Sequence, residues 1–266
     1  MRKKRPILFA ILLIAIVGGL AWEVLRPREP MYDGLPLSYW LRGYDPTART
    51  ETSLQQADKA VRTLGTNAVP VLLRMARTAD SPIKKDLIRL SRWKSWLPLH
   101  LHSDAEYHHL AASGFYALGP AGKEAVPALI ELLKGTNQEL QTVAADCLGD
   151  IGPASKAAVP LLVQMINPTN QSSGLGLIID LGRIHREPEL VVPILIQELN
   201  PPNATSSVVI GVLGQFGEGA KPAIPTLVPF LNSKDAWVRM QTTNALKQID
   251  PEVAAKIFAK TYVGRE

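Results

Sequence analysis

Leu118–Lys134 reads LGPAGKEAVPALIELLK, and its arrangement returns three times further along the chain. Leu118-Gly119 goes with Ala125-Val126-Pro127, Ile151-Gly152 with Ala158-Val159-Pro160, Leu181-Gly182 with Val191-Val192-Pro193, and Phe216-Gly217 with Ala223-Ile224-Pro225. The prolines fall 33, 33 and 32 residues apart. A single globular core has no reason to impose such a period, whereas a stack of small repeated units does. An earlier copy, Leu64-Gly65 with Ala68-Val69-Pro70, has a shorter turn, and its proline lies 57 residues before Pro127. A degenerate last copy runs Ile249-Asp250-Pro251 into Val253-Ala254-Ala255. About six units result, atypical at both ends, where an array needs caps.

Each unit reads as a pair of helices. From Gln138 to Ile151, the apolar residues Val143, Ala144, Cys147, Leu148 and Ile151 recur at three- and four-residue steps and form one stripe. Gly149 and Gly152 let the chain leave this helix. The second helix is expected from near Lys156, with Pro160 in its opening turn, where a missing N–H costs little. Leu161, Leu162, Met165 and Ile166 form its expected buried face. Neither stripe can be hidden within one pair, so each pair must stack on the next.

The residues Asp235, Val238, Arg239, Ala245, Leu246 and Ile249 follow a D-x-x-V-R…A-L-x-x-I spacing, and the second helices open on A-V-P-x-L. In both respects the chain resembles the HEAT repeat family, including short HEAT-like units of the phycobilin-lyase type, over roughly Ser53 to Phe258. The units at 172–200 and 204–232 lack the Val-Arg pair, which weakens the case for a polar ladder through the stack but not for the stack itself. The resemblance implies an all-α protein, an ARM/HEAT-like α-solenoid. It also implies that the second helices line the concave side, with Glu131, Lys134, Gln164, Gln197 and Glu198 among their polar positions as candidates for partner contact.

The N-terminus carries Arg2-Lys3-Lys4-Arg5 and then an uncharged run from Ile7 to Trp22. Residues 6–25 are expected to form a transmembrane signal-anchor. A snorkelling Glu23, with Trp22, Leu25 and Arg26 as an interfacial belt, extends the run far enough to cross a bilayer. The alternative is a cleaved signal peptide with an apolar core from Ile7 to Val17 and a small-x-small site at Gly19-Leu20-Ala21. Both readings leave residues 1–5 in the cytoplasm and send the repeats outside. They also account for the charge. The net charge is +5 and the pI 9.3, yet from Pro30 onward 23 cations face 22 acids. An exported, nearly neutral body is a poor candidate for binding nucleic acid. The single cysteine, Cys147, lies on a stripe and is expected to act as a small buried apolar group.

Residues 26–51 read as linker and cap. Leu37, Tyr39, Trp40 and Leu41 follow Pro36 and suggest a short helix that closes the first exposed stripe; a docking motif around Trp40 is the alternative. This G-x-P-L-x-x-W-L stretch looks like the lead-in of exported bacterial HEAT proteins. The repeat domain then spans 52–262, with an insertion at about 81–103. Spacing between the first two units exceeds 33 by 24 residues there. Ser81-Pro82 is a good helix start. Arg74 to Lys94 holds seven cations against two acids, and Trp93 and Trp96 close the segment. Lys84, Lys85, Arg89, Arg92, Trp93 and Trp96 are therefore candidates for contact with an acidic partner or with anionic headgroups. Simple packing of the tryptophans onto the array, with the cations in water, is the other account.

His100, His102, His108 and His109 lie within ten residues, which makes zinc conceivable, but no cysteine accompanies them and their spacing differs from known ligand pairs. GPAGKEA lacks the spacing and the Ser/Thr of a phosphate loop. Gly174-Leu175-Gly176 fails the dinucleotide pattern, and no G-x-S-x-G or H-E-x-x-H occurs. Asp146 and Asp150 stand four apart on one helix, where such pairs usually face solvent, and catalysis by paired carboxylates also needs a cleft. No catalytic residue, cofactor, metal or small-molecule substrate is expected. The expected function is a membrane-anchored scaffold for an unidentified protein partner on the outer side, with an enzyme-assisting or lyase-like HEAT subunit as the alternative.

Overall fold

The computed structural model describes residues 29–47, 50–79, 103–166, 171–199 and 205–263. The anchor expected at 6–25 lies outside the described residues, as do His100, His102 and the insertion candidates Lys84, Lys85, Arg89, Arg92, Trp93 and Trp96. Among the described residues no helix is long and apolar enough to cross a membrane.

The described chain is all-α apart from one small hairpin, β1 (Met31–Tyr32) paired antiparallel with β2 (Leu35–Pro36). Asp33 and Gly34, with φ of 48° and 73°, make its turn. Two-residue strands are too short to show alternation, so nothing in the sequence announces them. The hairpin leads into α1 (Leu37–Leu41), whose Leu37 and Leu41 are fully buried, and α1 packs on α2 (Glu51–Leu64). Trp40 is half-buried and its indole N–H donates to the Tyr32 carbonyl at 3.0 Å, while Tyr39 stays exposed.

Helix pairs then follow in order. After α2 comes α3 (Val69–Ala76), then α4 (Asp104–Leu118) with α5 (Val126–Leu133), and α6 (Gln138–Ile151) with α7 (Val159–Met165). Next are α8 (Gln171–Ile184) with α9 (Pro188–Glu198), α10 (Ser206–Gln215) with α11 (Ile224–Leu227), and α12 (Ala236–Ile249) with α13 (Pro251–Val263). The first helices pack in chain order: α2 on α4, α4 on α6, α6 on α8, α8 on α10 and α10 on α12. On α6, Val143, Ala144, Cys147, Leu148 and Ile151 are buried as the stripe predicts, joined by Ala145 and Gly149.

Three details differ from the sequence expectation. Gly152–Ala158 winds as a 3-10 segment, so α7 begins at Val159 rather than near Lys156, although Pro160 does sit in its first turn. The side of α7 turned inward is Val159, Leu162 and Ile166, with Leu161 and Met165 only half-buried. And Leu181-Gly182 does not end its helix, since α8 runs on to Ile184 and His185 takes the positive φ of 51° found at Gly119, Gly152 and Gly217. Leu118, Ile151 and Ile184, which end their helices, and Phe216, which caps α10, each precede the repeat proline by nine residues, which Leu181 does not.

The glycines inside the first helices have another task. A Cβ on Gly149 would lie 2.5 Å from Asp180 Oδ1, one on Gly182 2.9 Å from Gln215 Oε1, and one on Gly214 3.0 Å from the Ala245 α-carbon. They let neighbouring first helices close up. Gly152 is different, because nothing lies closer than 3.7 Å to its absent Cβ, while φ 73° and ψ −138° form a backbone state that L-residues avoid. Gly152→Ala is accordingly expected to cost about 1–3 kcal/mol through the backbone alone. It should appear as a lower urea midpoint at unchanged slope.

Asp235 and Arg239 of the D-x-x-V-R run also have a local explanation. Asp235 caps α12, accepting from the Trp237 N–H at 2.8 Å, and Arg239 Nη1 donates to the Ser233 and Lys234 carbonyls at 2.8 and 3.0 Å. At the start of α6 Asn137 takes the capping role. Gln141 Nε2 there donates to the Leu133 and Gly135 carbonyls at 3.0 and 2.8 Å. Cap and clamp stand four residues apart in both units, fixing how the chain enters each first helix.

Candidate binding groove

Along the first helices lies a groove of about 490 Å³ lined by Tyr44, Leu54 and Asp58, by His109, Ala112, Ser113 and Tyr116 of α4, by Asp146 and Asp150 of α6, and by Arg183 of α8. Small side chains on α4, Ala112 and Ser113, leave the space. Four helices, α2, α4, α6 and α8, and the turn at Tyr44 meet here, widely separated in the sequence.

One wall is a neutralised network. The Tyr44 hydroxyl donates to Asp58 Oδ1 at 2.7 Å, and burial followed by this carboxylate pushes the phenol well above its usual range. His109 Nε2 lies 3.0 Å from the Tyr44 carbonyl. Arg62 sits 3.8 Å from Asp58 and donates from Nε to the Ala117 carbonyl at 3.2 Å, tying α2 to the end of α4.

The other wall is short of positive charge. Arg183 Nη1 donates to Asp150 Oδ1 at 3.1 Å and to Asp180 Oδ1 at 3.4 Å, while it acts on Asp146 through charge alone. One guanidinium thus answers three carboxyls. The Asp180 side chain is 2% exposed, and its Oδ2 is buried without a hydrogen-bond partner. Burial, then the like charge of Asp146, pushes Asp180 up to about 8, against the pull of Arg183 and with a further push from Asp150. Burial likewise raises Asp150 to about 6, again opposed by Arg183 and helped by Asp146. Burial raises Asp146 too. These groups titrate as a set rather than singly.

This groove corrects the expectation that Asp146 and Asp150 face open solvent: Asp150 is only 10% exposed and Asp146 is half-buried. The second-helix candidates lie elsewhere. Glu131, Lys134, Gln164 and Gln197 are exposed and Glu198 is half-buried, and Lys134 pairs with Glu131 at 2.8 Å. None of them lines the groove. His108 is buried, with Nε2 2.7 Å from the Thr78 carbonyl and Nδ1 3.9 Å from Glu139 Oε1. Among the described residues no group of three His, Cys, Asp or Glu could hold a metal ion. Cys147 is fully buried, and its thiol is raised well above the usual value by burial and by the neighbouring aspartates Asp150, Asp146 and Asp180.

No known protein family and no curated protein matches the chain. Among solved structures it is similar to an engineered protein from the Northeast Structural Genomics Consortium. That similarity is 20% identity over 83% of this chain and 98% of the other, with a TM-score of 0.44.

Proposed function

We propose that the chain is a HEAT-type α-solenoid, held at the outer face of a membrane by its N-terminal apolar segment, that docks another protein and carries out no reaction of its own. The observation that supports this is the chain-order packing of the first helices, each pair covering the apolar side of its predecessor. Such mutual cover leaves rows of helices facing water along the length of the body, and repeat arrays use rows of this kind to bind. The acid cluster also suits binding better than catalysis. Asp180, though the most perturbed carboxyl, is too deeply buried to meet a substrate, and Asp150 is engaged by Arg183.

The test is photo-crosslinking of the full chain in intact cells, from Tyr116 on the groove, from Glu131 on the second helices and from Trp93 in the insertion. A discrete protein adduct from one of these rows, abolished by substituting its polar neighbours, is the expected result. Adducts with lipid alone, or none above the unirradiated control at any of the three, would overturn the reading.

A further inference from the structure

We infer that the groove receives the guanidinium or ammonium end of an arginine or lysine side chain presented by the partner protein, with Asp146 and Asp150 as counter-charges and the Tyr116 ring along its stem. This rests on the scaffold reading and adds the chemistry of the partner.

Charge balance is the first ground. Asp58, Asp146 and Asp150 line the groove against Arg183, and Asp58 already has Arg62 and the Tyr44 hydroxyl. The unbalanced charge therefore lies on the α6 side. The second ground is independent of the lining. The Asp180 carboxyl is directed into the same cluster, its Oδ1 sharing the Arg183 guanidinium with Asp150, yet Oδ2 has no partner. Buried polar atoms left unpaired are rare and call for an explanation. A cation arriving between Asp146 and Asp150 supplies one. It takes over Asp150 and frees Arg183 to turn fully onto Asp180, which gives up its proton to solvent as the forked guanidinium closes on it.

Tyr116 is the third ground. It stands on the rim of the groove at 68% exposure, the most exposed of the large hydrophobic side chains among the described residues. An aromatic face beside paired carboxylates is a standard receptor for an organic cation. The volume falls in the range of ~300–1,000 Å³ usual for ligand pockets. A bare metal ion lacks the clustered ligands it would need among the described residues, and a phosphate or nucleic-acid backbone would meet the acidic wall and be repelled.

The experiment is fluorescence anisotropy on the full chain in detergent, with a coumarin-labelled Gly/Ser peptide bearing one central arginine and with its glutamine counterpart. The arginine peptide should bind and the glutamine peptide should not, with binding weakened by added salt. The Asp146→Asn/Asp150→Asn double variant, which removes buried like charge and so keeps its fold, should bind about tenfold or more weakly. Tyr116→Ala, at an exposed position, should lose about two- to fivefold. Equal binding of the two peptides, or unchanged binding by the double variant, overturns the inference. Displacement by free spermidine at concentrations far below those of the arginine peptide assigns the site to small amines and overturns the protein source. Either failure leaves the scaffold reading to the crosslinks from Glu131 and Trp93, which do not depend on this groove.

Discussion

Asp180→Asn is expected to stabilise the protein at pH 8 by on the order of 2–4 kcal/mol, raising the melting midpoint by about 5–15 °C, and to have almost no effect near pH 4. In the folded chain the Asp180 carboxyl, pushed up to about 8, is neutral through the range in which the unfolded chain has already released its proton. The folded state therefore binds one proton more than the unfolded state between about pH 4 and pH 8. Its stability falls across that window as pH rises, by up to ~1.4 kcal/mol per unit. Asparagine keeps the shape and the neutrality at every pH, so the loss disappears. The gain falls short of the full linkage value because the new amide must find its own partners.

The other groups around Asp180 allow the profile to be interpreted. Asp146, raised by burial and opposed by Arg183, belongs to the same set. Asp150, raised to about 6, adds a second decline between about pH 4 and pH 6 that wild type and variant share. On the remaining sides α7 and α10 bring no titratable side chain, and Lys156 in the preceding 3-10 segment is held by Glu187. Thermal melts of both proteins at intervals from pH 4 to pH 8 check this. A wild type equally stable across the range, with no gain in the variant at pH 8, would mean that the seam is wet and the carboxyls ordinary.

The fold was largely legible in the sequence because its physics is local and repeated. A stripe at three- and four-residue steps, a proline in an opening turn and a glycine after a helix end each speak for themselves, and their period places them in order. The groove was not legible for a specific reason. Matching Leu181-Gly182 to Ile151-Gly152 set α8 three residues out of register with its neighbours. In the register of the structure, where Ile184 matches Ile151, Arg183 stands one 33-residue period beyond Asp150, and the two form the ion pair. The constant gap of nine between helix end and proline carried that information. Even with it, the space above Ala112 and Ser113 would have stayed hidden, since a groove depends on how far apart two helices settle. The burial that perturbs Asp180 depends on Gly149 letting α8 come close, a contact between residues 31 apart.

Leu148→Asp should unfold the chain at room temperature or bring it close, an effect larger than any other single change considered. Leu148 is fully buried in the stripe of α6, which packs against α4, α5 and α8. Truncation to alanine alone would remove its contacts and leave a cavity, at about 2.7–5 kcal/mol. Aspartate adds a buried charge there, and Arg183, the cation of the neighbouring cluster, is already shared between Asp150 and Asp180. The added cost of several kcal/mol takes the total to the order of the whole stability of a typical domain, ~5–15 kcal/mol. Gln138→Asp, at the exposed first position of the same helix, should stay within about 0.5 kcal/mol. Far-ultraviolet circular dichroism against temperature separates the cases. A Leu148→Asp midpoint close to that of Gln138→Asp would show that α6 does not supply its neighbours with their dry surface. Chain-order stacking, and the scaffold reading built on it, would then fail together.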